Sequence, residues 1–234
     1  MLLSASAQAQ DVIIGTDGSQ RVAKVLGVSP SGSLEFQVGQ GRLGISMATV
    51  KEVRMPAPPE FTQALAAYQA KDFAKALSLI SGVVAKYKGI PVAWAQQATA
   101  MLGELYIATN DLTKAEAAYN DYKKLYPGGG SLQSEIGLSR LAVAKKDYET
   151  AKQKLAPILD AALKEKTPSP LNATAYSQAF LVSGQVKEAG GDFSGALEDY
   201  LRTVTLFYQD RVAATSAQEH ADALRSAHPE VTVP

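Results

Sequence analysis

The chain of 234 residues lacks several residue types on which common functional sites depend. It contains no cysteine, which excludes disulfides, thiolate metal sites and cysteine nucleophiles. Its two histidines, His220 and His228, both lie near the C-terminus, so a histidine metal site or a Ser-His-Asp triad has almost nothing to draw on. The sequence also has no glycine-rich phosphate loop and no nucleophile elbow. We therefore expect a protein that is not an enzyme and that holds neither a metal nor a cofactor.

An excess of charge of one sign is missing as well. Lys and Arg number 23 together, and so do Asp and Glu. Such a balanced chain has no overall field that would draw it onto nucleic acid or an anionic membrane. No segment has the 18 or so uninterrupted apolar residues of a membrane-spanning helix. We therefore expect local recognition of another protein or a peptide, no nucleic acid and no transmembrane segment, and leave homo-oligomerisation open.

The first ten residues, MLLSASAQAQ, end in Ala7-Gln8-Ala9, a spacing of small residues that signal peptidase accepts. Only Leu2 and Leu3 represent the apolar core of a signal peptide. We interpret residues 1–10 as a signal-peptide remnant, which predicts a periplasmic or otherwise exported protein. A merely disordered terminus on a cytoplasmic protein is the alternative, and the reading frame upstream of Met1 would separate the two.

In residues 11–55, apolar residues recur with the period of two that is typical of strands. Apolar residues alternate with polar ones in two clear runs: Leu34, Phe36, Val38 and Leu43, Ile45, Met47. The segments TDGS (16–19), SPSGS (29–33) and GQG (39–41) supply turn residues between them. Five short strands in so few residues can hide their edges by curling on themselves, so we predict a small five-stranded β-barrel.

The strand order adds a family resemblance. A D-G turn, a long second strand, two alternating strands and the one-turn link MATV (47–50) before the last strand resemble the Sm-like or SH3-like barrel family. That resemblance implies RNA binding as one option, so a cytosolic RNA-associated protein is the alternative function. Residues 11–56 carry five basic and four acidic residues, however, and we expect Phe36, their one aromatic residue, to lie in the core. The proline-rich residues 56–59 then form a linker.

Beyond the linker the apolar period changes to that of a helix, and one signature recurs four times. The copies are KDFAKA (71–76), NDLTKA (110–115), KDYETA (146–151) and GDFSGA (191–196), with their Asp residues 39, 36 and 45 positions apart. An Asp can cap a starting helix, and Asn110 or Gly191 before it tolerates the left-handed conformation that ends the preceding helix. The signature therefore predicts four helix-turn-helix corners.

One copy matches a named pattern. Its residues follow the L-G-x₂-Y…A-x₃-F…P spacing: Leu102, Gly103, Tyr106, Ala115, Tyr119, Pro127. Residues 60–207 thus resemble tetratricopeptide repeats, although the gaps exceed the family's repeat of about 34 residues. The expected fold class is α+β in two domains, the barrel (11–55) and a helical domain (60–230). We expect the helical domain to form a solenoid of about four hairpins, closed by a capping helix near residues 211–227.

The resemblance also implies a binding face, because in that family the first helix of each hairpin lines a concave groove. Carried onto this chain, the groove positions are Phe61, Tyr68, Gln97, Glu104, Gln133, Arg140, Gln178 and Gln185. For Phe61 and Tyr68, packing against the barrel or linker is an equal alternative. The overall expectation is a non-catalytic scaffold of the bacterial cell envelope that binds a protein or peptide through this groove.

Overall fold

The structure is a computed structural model and describes residues 11–127 and 130–232. The signal-peptide interpretation of residues 1–10 falls outside the described residues. The chain divides into two compact units, residues 1–130 and residues 131–234. Each unit is described by itself below.

Unit 1 begins with five strands, as the alternating pattern predicts. They are β1 (Asp11–Gly15), β2 (Gln20–Val28), β3 (Ser33–Val38), β4 (Gly41–Ser46) and β5 (Val50–Arg54). They form one antiparallel sheet in the order β4-β3-β2-β1-β5. The long strand β2 pairs with β1 through Gln20 to Ala23 and with β3 through Lys24 to Val28. An irregularity between Val25 and Gly27 interrupts the second ladder, and bulges of this kind bend a strand.

The sheet is open in its hydrogen bonding, where a closed barrel was expected. No ladder joins β4 to β5 in the described part of unit 1. A single 3₁₀ turn, Met47–Thr49, carries the chain from β4 at one edge to β5 at the other. Four peptide units span at most about 14 Å, so the two edges approach each other at this end without pairing. The sheet is therefore curled, and β4 and β5 each keep one unpaired edge.

Four helices complete unit 1: α1 (Pro59–Gln69), α2 (Phe73–Tyr87), α3 (Ala93–Ala108) and α4 (Leu112–Leu125). The sheet and the first three helices share one apolar core, in which Phe36 and Val53 belong to the same cluster as Phe61 and Trp94. The indole Nε1 of Trp94 donates a hydrogen bond of 3.2 Å to the carbonyl oxygen of Met55. The proline-rich segment thus connects two parts of one core.

Unit 2 is helical throughout its described residues. Its helices are α5 (Gly130–Ala144), α6 (Tyr148–Lys164), α7 (Pro170–Ala189), α8 (Phe193–Thr205) and α9 (Arg211–Ala227). The last one confirms the predicted helix at residues 211–227. Together the described parts of both units contain nine α-helices and no strand after β5, so the coarse prediction of a sheet followed by helices is confirmed.

The four corners have nearly the same geometry. The side chains of Asp72, Asp111, Asp147 and Asp192 each accept a hydrogen bond of 3.0–3.2 Å from the backbone N–H three residues later. Their own N–H groups donate to the carbonyl oxygen five residues earlier, at 2.8–2.9 Å. The residue before each Asp has a positive φ, from 59° at Lys71 to 80° at Gly191. This combination is the Schellman motif followed directly by an N-cap. Each predicted corner is therefore confirmed.

Small residues let the two helices of each hairpin approach. Ala76, Ala115, Ala151 and Ala196, four residues after each capping Asp, have no exposed surface. Four residues further on lie Ile80, Tyr119, Leu155 and Tyr200, and eight before each Asp lie Ala64, Gly103, Ser139 and Gly184. At this position of the first helix, glycine occurs only where tyrosine occupies the aligned position of the second helix. A Cβ at Gly103 would lie 2.6 Å from Cζ of Tyr119, and one at Gly184 would lie 2.4 Å from Cε1 of Tyr200.

Candidate partner-binding surface

The eight predicted groove residues all lie on first helices of the hairpins, two on each. Phe61 and Tyr68 belong to α1, Gln97 and Glu104 to α3, Gln133 and Arg140 to α5, and Gln178 and Gln185 to α7. They differ in how much surface each presents.

Phe61 lies in the core of unit 1, where the sequence left core packing and partner contact equally open. Its side chain is only 4% exposed, and its ring centroid lies 6.1 Å from that of Trp94. The ring of Trp94 in turn meets that of Tyr87 edge-on, at 5.2 Å. Phe61 therefore offers almost no surface to a partner, and the burial favours the packing alternative.

Tyr68 and Glu104 come together from consecutive first helices. The hydroxyl of Tyr68 donates a hydrogen bond of 3.2 Å to Oε2 of Glu104, and the ring of Tyr68 packs edge-on against Phe73 at 5.8 Å. Both residues are half-buried, whereas Gln97, about two helical turns before Glu104, is exposed. The face of α1 and α3 therefore combines an aromatic side chain, a carboxylate and an exposed amide.

In unit 2, the two glutamines of α7 reach α9, the helix that follows the last hairpin. Nε2 of Gln178 donates a hydrogen bond of 2.6 Å to Oδ2 of Asp210, the N-cap of α9. Nε2 of Gln185 lies 3.3 Å from Nε2 of His220. In each unit, groove residues thus bond a first helix to the helix two places later in the chain, α1 to α3 and α7 to α9. Gln133 and Arg140 on α5 are half-buried. The predicted groove side chains in part hold neighbouring first helices together.

A buried charged cluster between α7 and α8 was not predicted. Asp199 is only 1% exposed and accepts from Oγ of Ser183 at 2.6 Å, Nζ of Lys187 at 2.6 Å and Nη1 of Arg202 at 2.9 Å. Two cations and a hydroxyl thus surround this carboxylate. Because each of these partners donates to it, Asp199 has the environment of a structural ion-pair centre rather than that of a general base.

Beside this cluster, Tyr200 ties α8 to α7 and α9. Its hydroxyl donates 2.5 Å to Oε2 of Glu188, and the ring of His220 stacks on its own ring at 5.1 Å. Burial, followed by the hydrogen bond to Glu188, raises the pKa of Tyr200 far above its usual value. The nearest sequence signal for this arrangement is Gly184, whose missing side chain makes room for the ring.

The corner aspartates, the most regular acidic residues of the chain, act as helix caps. Hydrogen bonds from Lys114 hold the pKa of Asp111 below its usual value, and those from Thr150 do the same for Asp147. Across the described residues, no group of three or more His, Asp or Glu side chains is placed to hold a metal ion. Within the same ranges, no helix has both the length and the apolar character needed to cross a bilayer.

Comparison of the chain with known protein families, with curated proteins and with solved structures found no match.

Proposed function

We propose that this protein is a non-catalytic scaffold that binds another protein or a peptide through the face formed by its first helices. The observation that carries the proposal is the fourfold recurrence of one corner, with the same capping bonds and the same positive φ before each Asp. Repeated helix pairs of this kind stack into arrays that present extended binding surfaces. The resemblance to tetratricopeptide repeats, and of the sheet to a small Sm-like or SH3-like barrel, belongs to this proposal.

Contact with the partner falls in the first place to the groove residues that keep surface. These are Tyr68, Gln97 and Glu104 in unit 1 and Gln133 and Arg140 in unit 2. They offer amide, hydroxyl and charged groups, which suit hydrogen bonding to an extended backbone and to polar side chains. Gln178 and Gln185 have a second role in joining α7 to α9, and Phe61 supports the face from within the core.

The cell envelope is the proposed location. Ala7-Gln8-Ala9 is a suitable processing site, and a chain without cysteine folds alike in oxidising and reducing compartments. RNA binding through the sheet has no specific observation in its favour. Phe36, the one aromatic residue of the strands, is completely buried and presents no ring face to a base.

Site-specific photo-crosslinking tests the binding face. A photoreactive amino acid replaces Gln97 or Gln133 on first helices, with Asn120 on α4 and Lys152 on α6 as exposed control positions on second helices. Cells that express each variant are irradiated before the envelope is extracted. We expect adducts of the same size from both first-helix positions and none from the controls. Equal adducts from α4 and α6, or adducts only in the cytosolic fraction, would contradict the proposal.

Charge reversal provides a quantitative second arm. Glu104→Arg combined with Arg140→Glu should weaken capture of the crosslinked partner at least about tenfold, on the order of 1.4 kcal/mol. Because the Glu104 change also removes the bond to Tyr68, the single variant Tyr68→Phe serves as the control. It loses the same bond but keeps both charges, so the loss of capture in the double variant beyond that in Tyr68→Phe measures the contribution of the two charges.

A further inference from the structure

A cleft in unit 1, separate from the first-helix face, has the features of a second binding site. It has a volume of about 620 Å³, within the range of about 300–1,000 Å³ that is typical of ligand sites. One wall is formed by residues 26–30, which are the end of β2 and the turn that follows it. The other wall is the C-terminal half of α2, with Leu125 of α4 closing the back.

The walls are held in place by close backbone contacts. Gly27, at the bend of β2, has a φ of 142°, and a Cβ there would lie 2.6 Å from the carbonyl oxygen of Lys86. Only glycine allows the strand to approach α2 this closely. At the back, the N–H of Gly89 donates 2.8 Å to the hydroxyl of Tyr126, which ties the α2–α3 loop to the end of α4. The cleft is therefore a preformed feature of unit 1.

Gly82 on α2 lines this cleft and has no packing reason to be glycine. A Cβ built at Gly82 meets no atom within 4 Å, in contrast to Gly103. A glycine inside a helix costs roughly 0.5–1 kcal/mol relative to alanine. Gly82, together with Ala85 one turn later, leaves the floor of the cleft free of large side chains. The open floor therefore has a cost in stability that no contact among the described residues offsets.

The rim of the cleft is positively charged. Lys86, Lys88 and Arg42 line it, and Glu35 is its one acidic lining residue. Glu35 pairs with Arg42. Among the residues that the structure describes, Lys86 and Lys88 form no salt bridge, and Nζ of Lys86 lies 5.0 Å from the centroid of the Tyr87 ring. Two ammonium groups thus stand at the cleft without a counter-charge.

We infer that this cleft binds an acidic peptide segment. Carboxylates of the segment pair with Lys86 and Lys88, and its small or apolar side chains occupy the space above Gly82 and Ala85. The apolar wall of Leu26, Val28 and Leu125 suits a peptide better than a compact phosphate group. Phosphate sites use converging backbone N–H groups at helix N-termini, whereas α2 points its C-terminal, carbonyl end towards this region.

Fluorescence anisotropy on the full chain at low ionic strength tests this inference. The probe is a fluorescein-labelled peptide of alternating glutamate and alanine, and its matched control carries glutamine in place of glutamate. We expect saturable binding of the glutamate peptide and at least tenfold weaker binding of the glutamine peptide. Displacement of the probe by pyrophosphate, at a concentration where an equal charge of free glutamate has no effect, would overturn the peptide assignment in favour of a phosphate ligand.

Two variants separate a site at this cleft from general attraction between charges. Lys86→Gln with Lys88→Gln removes both ammonium groups, and Gly82→Leu fills the floor without changing charge. Leucine is a better helix former than glycine, so Gly82→Leu should fold with an equal or higher melting temperature. We expect each variant to weaken binding of the glutamate peptide at least tenfold.

The charge-matched control is Lys51→Gln with Lys152→Gln, at exposed positions on β5 and α6 that lie outside the cleft. It should bind the probe like the wild type. Binding lost equally in this control, or retained in Gly82→Leu, would show that the cleft is not the site and that Lys86 and Lys88 serve only the end of α2. The variant Glu104→Arg with Arg140→Glu should leave probe binding unchanged, so the result of this test does not depend on binding through the first-helix face.

Discussion

Gly82 and Gly103 both lie inside helices, α2 and α3. Because only Gly103 packs closely against the other helix of its hairpin, substitution by alanine should raise stability at Gly82 and lower it at Gly103. In an ordinary helix interior, Gly→Ala stabilises by about 1 kcal/mol. Gly82→Ala should show this gain, because nothing lies within 4 Å of the new Cβ. Gly103→Ala instead places the Cβ 2.6, 2.7 and 2.9 Å from three ring carbons of Tyr119, a side chain that is only 2% exposed. The ring has no room to move away.

The magnitude follows from the cost of overpacking. Forcing a carbon into a filled interior typically costs about 1–3 kcal/mol, occasionally more. A contact this short should cost an amount near the upper end of that range. Since alanine also gains about 1 kcal/mol in helix propensity over glycine, we expect Gly103→Ala to destabilise unit 1 by a net of roughly 1–2 kcal/mol. The first and third hairpins carry Ala64 with Ile80 and Ser139 with Leu155 at the same positions. Tyr119→Leu should therefore relieve the clash, and the double variant should be more stable than the sum of the two single changes implies.

Urea denaturation followed by tryptophan fluorescence is the appropriate assay. Trp94 is the one tryptophan and lies in the core of unit 1, so its emission reports on this unit. The predicted order of midpoints is Gly82→Ala above the wild type and Gly103→Ala below it, with positive coupling between Gly103→Ala and Tyr119→Leu. Stabilisation by Gly103→Ala equal to that by Gly82→Ala would refute the assignment of Gly103 and Tyr119 to a tight helix seam.

Three further outcomes follow from particular contacts. Tyr119→Ala should destabilise unit 1 by about 3–5 kcal/mol and the half-buried Leu102→Ala by about 2 kcal/mol, as measured by the same urea midpoints; equal losses would contradict the burial difference. Burial raises the pKa of Tyr122 to about 12, so the folded state holds this proton more tightly than the unfolded state. The free energy of unfolding should therefore contain the full contribution of Tyr122 below pH 10 and lose it as pH rises towards 12. The same pH dependence of the free energy of unfolding in Tyr122→Phe would argue against this cause. Phe61→Ala should shift Trp94 emission to longer wavelength by opening the core beside the indole, whereas an unshifted spectrum would place Phe61 away from Trp94.

The strands and the helix corners were predictable because each depends on residues that are close together in the sequence. Alternation in β3 and β4, the corner signature and the small residue at Ala115 each depend on neighbours within a few positions. The left-handed conformation was expected only at Asn110 and Gly191, yet Lys71 and Lys146 adopt it too, at 59° and 60°. The Schellman hydrogen bonds impose it there against a cost of roughly 1–2 kcal/mol for a residue with a Cβ.

The features that the sequence did not predict depend on contacts between distant segments. The shared core of the sheet and α1 to α3 requires Phe61 and Trp94 to meet strand residues such as Phe36, and no periodicity encodes such a meeting. The same holds for the cluster around Asp199, which assembles side chains of α7 and α8. Deleting residues 11–55 would expose the core around Phe61 and Trp94, so the helices of unit 1 are not expected to fold without the sheet.

Hydrogen–deuterium exchange on the complex with the crosslinked partner tests the central claim, binding through the first helices, most directly. Peptides from α3 and α5 are compared with peptides from α4 and α6 of the same hairpins. We expect protection on binding in α3 and α5 around Gln97, Glu104, Gln133 and Arg140, with no change in the exposed faces of α4 and α6. Protection confined to the second helices or to the sheet would contradict binding through the first-helix face.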